Sequence, residues 1–167
     1  MTFVWMKQAL TSAEVVLPDV DSRWVAMHFV AFRFLIGTIS TLVILKGSRS
    51  GFNNPEVWKG GFSLGLILIL GFLIQMVGLT DVTPAVSAFL TSLYVVFTAI
   101  MGVALGKQRV TSFMIFGVLL ATFGAGWISG PPRVEFGVGE WLTVVSGFLF
   151  AMHIIVTDSV TRLVDPI

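Results

Sequence analysis

Ser87, Thr91, Tyr94 and Thr98 follow one another at steps of four, three and four, inside a stretch from Thr83 to Gly106 that holds no charged residue. That spacing places three aliphatic hydroxyls and a phenol on one face of a helix. Such groups donate and accept hydrogen bonds, which suits either recognition of a polar solute or the joining of helices. Other apolar stretches carry Gln75, the permanent cation Arg33, and His28 and His153. An enzyme at this depth would need a nucleophile or an acid–base pair. The apolar spans contain no Asp or Glu, and the chain has no Cys.

The elements that must position these groups follow from composition. Of 167 residues, 56% are hydrophobic and 11% are charged, against about 25% charged in a soluble domain. An all-α, multi-span membrane bundle is expected, with the lipid bilayer as its surroundings. In hydrocarbon a hydroxyl, amide or guanidinium is tolerable only where it meets protein or a water-filled cavity. A net charge of +1 gives no case for nucleic acid as a partner. The lack of Cys removes disulfides and thiol metal sites. No phosphate-cradling loop, His-Glu-x-x-His or Gly-x-Ser-x-Gly is present. No cofactor or metal is expected, and a satisfied interhelical role is the default for His28 and His153.

Taken in order, residues 1–10 read as a partial helix and Thr11 to Arg23 as a polar link. Spans are expected at 24–45, 60–79, 84–105 and 112–128, with a last apolar helix at 141–157. Thr83 and Pro84 suit the start of the third of these spans. Arg33, Gly37, Ser40 and Thr41 share a face, as do Gly71, Gln75 and Gly78, and Ser146, Phe150, His153 and Thr157. Gly61 with Gly65, and Gly117 with Ala121 and Gly124, are expected to sit at close helix contacts. Lys46, Arg49, Lys59, Lys107 and Arg109 gather in the links 46–59 and 106–111, while the alternate links carry mainly Asp and Glu. The positive-inside rule makes those two basic links cytoplasmic.

Residues 3–10 and 150–157 each close an apolar segment and lead into a polar one, five helices apart. An odd interval would insert the two copies in opposite directions, as in inverted-repeat transporters. The run Phe32-Arg33-Phe34-Leu35, the Gly-rich helix after it, Thr83-Pro84-Ala85, Leu105-Gly106-Lys107-Gln108-Arg109 and Gly117 together resemble the drug/metabolite transporter superfamily, EamA type. The resemblance implies ten helices in two inverted five-helix repeats and movement of small metabolites or drugs by alternating access. Residues 1–128 would be one such repeat with a truncated first helix. Residues 129–167 would be an external link and the first helix of the second repeat, making the chain a fragment.

The resemblance also implies a bacterial inner membrane, a small-molecule substrate and a central cavity lined by the helix 84–105. The expected substrate-binding residues are Arg33, Gln75, Ser87, Thr91, Tyr94 and His153. Arg33 would hold an anionic group or a helix-end carbonyl. A homodimer is one way to complete the bundle. The competing expectation is a structural or regulatory membrane subunit with no transport of its own.

Overall fold

The computed structural model describes residues 2–44, 54–107, 109, 111–129 and 137–162. These form α1 (Thr2–Val16), α2 (Ser22–Ile44), α3 (Pro55–Asp81), α4 (Pro84–Ser92), α5 (Tyr94–Ala104), α6 (Ser112–Ser129) and α7 (Val138–Thr161), with no strand among the described residues. Four stretches are long and apolar enough to cross a membrane: Ser22–Ile44, Pro55–Asp81, Pro84–Ala104 and Val138–Thr161. The chain is therefore an all-α, multi-span bundle. Lys46, Arg49 and Arg133, and residues 130–136 of the expected link between repeats, lie outside the described residues.

Local chemistry sets the helix starts. The Asn54 side chain accepts the Glu56 N–H at 2.9 Å, and Pro55 opens α3, where a missing amide hydrogen costs nothing. Thr83 does the same for α4, accepting the Val86 N–H at 3.3 Å ahead of Pro84. The Glu140 carboxylate accepts the Gly137 N–H at 3.0 Å, which starts α7 at Val138, three residues ahead of Trp141.

The bundle is built around α7. Gly60 lies against Val160, the Leu64 carbonyl meets His153, Gly71 lies against Phe150, and Gly78 against Gly139. The falling order of partners shows α3 and α7 antiparallel along their whole length. Lipid tails are as apolar as leucine, so such a seam depends on close backbone approach more than on apolar burial. A Cβ on Gly78 would sit 2.8 Å from the Gly139 oxygen and 2.9 Å from the Thr143 hydroxyl. On its other side α7 runs parallel to α4 and α5. Gly147 rests against the Leu90 and Thr91 carbonyls, and Phe97 and Phe148 meet edge-to-face at 5.9 Å.

Two cations fasten the ends. Lys7 Nζ donates to the Leu79 and Thr80 carbonyls at 2.8 and 2.7 Å. These are terminal carbonyls of α3 with no partner in their own helix, and a cation there also meets the negative end of the helix dipole. Nearby, Met6, Leu10, Ala26, Val30, Met76, Leu79 and Val82 form the apolar core shared by α1, α2 and α3. At the opposite end Lys107 Nζ reaches the Ile155 carbonyl, the Asp158 carboxylate and the Ser159 hydroxyl at 3.3, 3.0 and 2.6 Å.

Several expectations differ from what is observed. The partial helix expected at 1–10 runs on to Val16. Thr11 to Val16 contains no Gly or Pro, and Pro18 ends the helix by disfavouring helical backbone at Leu17. The helix expected over 84–105 is two helices broken at Leu93, whose N–H bonds Leu90 three residues back at 3.2 Å. Ser92 Oγ donates to the Phe89 carbonyl at 2.6 Å, a back-bond of the kind that bends helices. Gly37, Gly61, Gly65, Gly117 and Gly124 face open space, with nothing within 4 Å of a built Cβ. The contact faces expected at Gly61 and Gly65 and at Gly117 and Gly124 are therefore not formed among the described residues. α3 turns Gly71 and Gly78 to α7 instead, and among the described residues α6 packs on α4 and α5.

Candidate functional site: a cavity walled by α1 and four spans

Beside the α3–α7 seam lies a cavity of about 410 Å³, within the range usual for small-molecule sites. α1 contributes Phe3 and Met6, and α2 contributes Arg33. Leu68, Phe72 and Gln75 come from α3, Thr91 and Tyr94 from either side of the break at Leu93, and Phe150, His153 and Ile154 from α7. Five of the six residues expected from the sequence to bind substrate thus share one cavity: Arg33, Gln75, Thr91, Tyr94 and His153. Ser87 is not among them. It is fully buried, on a helix packed by α1, α3, α6 and α7, and its hydroxyl has no hydrogen-bond partner among the described residues.

Each polar group reaches the cavity in a defined state. Gln75 is 2% exposed and its Nε2 donates to Thr91 Oγ1 at 2.9 Å. That bond joins α3 to α4, and the amide oxygen has no hydrogen-bond partner among the described residues. His153 Nδ1 lies 3.2 Å from the Leu64 carbonyl oxygen. A carbonyl only accepts, so Nδ1 carries the hydrogen and Nε2 is left for the cavity. Thr98, on the same face as Thr91 and Tyr94, donates to the Tyr94 carbonyl at 2.7 Å. It serves its own helix and is absent from the cavity wall.

Arg33 is exposed on its helix and is shared with a second hollow of about 440 Å³ that includes Gly37, Thr38 and Thr41. Its guanidinium carbon lies 4.7 Å from the centre of the Phe72 ring, within cation–π range. Among the described residues it makes no hydrogen bond and no ion pair. Phe72 in turn meets Phe34 and Phe150 edge-to-face at 5.4 and 5.0 Å. Sequence reasoning missed Phe72 and Phe150, because Phe residues in a membrane helix read first as lipid contacts or packing. Only the fold brings α2, α3 and α7 together around them.

The sequence model of the EamA-like transporter family matches residues 1–130. The chain belongs to the EamA-like transporter family. The match covers α1 to α6, including Arg33, Gln75, Thr91 and Tyr94. His153 lies beyond it, on α7. A protein of Archaeoglobus fulgidus named as an uncharacterized transporter is 31% identical over 138 residues, which cover 83% of this chain and 42% of that relative. The chain thus spans less than half the length of the relative it matches. No solved structure matches this EamA-like chain.

Proposed function

We propose that this chain forms part of the solute pathway of a secondary transporter that moves small organic metabolites or drugs by alternating access. The supporting observation is the convergence of Gln75, Thr91, Tyr94, Arg33 and His153, carried on α2, α3, α4, α5 and α7, onto one cavity. Polar groups inside membrane helices are costly unless they serve each other or an aqueous solute. Here several keep unused hydrogen-bonding capacity. The basic sequence of the links 46–59 and 106–111 supports a cytoplasmic, inner-membrane orientation for that end of the bundle, on the charge rule that orients membrane helices.

The test is uptake or efflux by the complete gene product in proteoliposomes, with a panel of small organic solutes. For a transported member of the panel, Tyr94→Ala and Gln75→Ala are each expected to cut the rate by about fivefold, the worth of a hydrogen bond to a solute. Both variants should express normally. Normal flux in both, or no flux for any solute together with a phenotype that needs none, would favour the structural or regulatory subunit instead.

A further inference from the structure

We infer that the cavity selects small organic anions, with Arg33 as the group that takes the ligand's carboxylate or other anionic head and the Phe72–Phe150 pair as the surface for its apolar body. This rests on the transporter reading and names its substrate class.

Three observations carry it. First, Arg33 is an unspent cation. Its guanidinium offers five N–H donors in a planar fork that matches a carboxylate, and none is used by the described residues. A helix-end carbonyl, the other partner expected for it, is not what it meets. The end carbonyls of α3 at Leu79 and Thr80 are held by Lys7. Second, the charge of the cavity has one sign. Its wall holds the cation Arg33 and, among the described residues, no Asp or Glu. The described acidic residues (Glu14, Asp19, Asp21, Glu56, Asp81, Glu140 and Asp158) lie in links or within about a turn of a helix end. An organic cation would meet Arg33 with no countercharge. Third, Arg33 is already set in place. Stacking on Phe72 at 4.7 Å reduces the rotamer freedom that binding would otherwise remove. Phe150 extends the same apolar surface, 5.0 Å from Phe72, so an anion held at Arg33 would lay its body along the two rings. Gln75 Oε1, the Tyr94 hydroxyl and His153 Nε2 remain for the ligand's other polar atoms.

The experiment uses three probes with one body and different heads: phenylacetate, phenylacetamide and phenethylamine. The complete gene product in detergent is titrated with each, and thermal shift and competition are read out. Flux of the same compounds is measured in liposomes. Phenylacetate is expected to bind, and the amide and amine to bind at least about tenfold more weakly. Arg33→Ala should remove that preference while keeping the unliganded melting temperature, and Arg33→Lys should restore part of it. Equal binding of all three, binding of none, or an acid preference that survives Arg33→Ala would overturn the inference. Phenylacetate bound through Arg33 but never carried across would keep the anion site and defeat the transporter reading. Flux of other solutes with no acid preference would do the reverse.

Discussion

The α3–α7 seam and the cavity beside it are furnished with the same kinds of residue and use them in opposite ways. Along the seam Thr143 and Ser146 of α7 are spent close to home. Thr143 donates to the Gly139 carbonyl at 2.9 Å and Ser146 to the Thr143 carbonyl at 2.7 Å, both fully buried. At the seam's far end Lys107 fills its donors with three acceptors from α7. Across the cavity wall the pattern inverts. Arg33 spends nothing on hydrogen bonds, His153 keeps one ring nitrogen, and the Tyr94 hydroxyl has no partner among the described residues. Residue type alone does not separate a helix fastener from a ligand group. What separates them is whether the neighbouring backbone already satisfies the group.

That contrast can be broken most forcefully at Gly78. Gly78→Ala drives a Cβ into the Gly139 backbone and the Thr143 hydroxyl, with no flexible tip to yield. It should cost about 2–3 kcal/mol, the upper part of the overpacking range, seen as an earlier thermal unfolding transition in detergent. Gly65→Ala, in open space, should leave stability unchanged or raise it slightly through helix propensity. If both variants melt alike, the seam is not the tight contact described. Next in size is Lys7→Met, which strips the cap from the end of α3. A loss of about 1–2 kcal/mol is expected, with solute binding retained. A loss of binding without a loss of stability would move Lys7 to the cavity side of the comparison. The smallest effect belongs to Thr91→Val, which sits on the border. It removes the acceptor of the Gln75 amide and should cost about 0.6 kcal/mol, the usual scale for such bonds between membrane helices. It should also weaken solute binding by freeing that amide to turn. A change in stability alone would make the pair a fastener and nothing more.

Much of the fold was legible because membrane helices announce themselves by length and apolarity. Thr83-Pro84 marked one start through chemistry that works within a few residues, whereas α3 starts at Pro55, five residues ahead of the expected 60. What could not be read were features that depend on which face meets which neighbour. Gly61 and Gly65 look as suited to close packing as Gly71 and Gly78, and only the placement of α7 decides between the two pairs. The break at Leu93 carries no Pro or Gly to signal it. Lys7 sits at the end of a short apolar run and reads as the edge of a link, because its acceptors are 72 and 73 residues away. In the cavity, Gln75, Thr91 and Tyr94 were found through helical spacing. Arg33 was found as a charge out of place. Phe72 had no local signal at all, since its meaning comes from the cation on another helix. Ser87 had the right spacing and the wrong surroundings.

The turn at Leu93 gives the cavity wall two short helical segments where an unbroken helix would give one. Thr91 rides on the segment before the pivot and is tied through Gln75 to α3, while Tyr94 rides on the segment after it and is tied through Lys107 to the far end of α7. Any swing of these two levers about Leu93 changes the distance between the Thr91 hydroxyl and the Tyr94 ring.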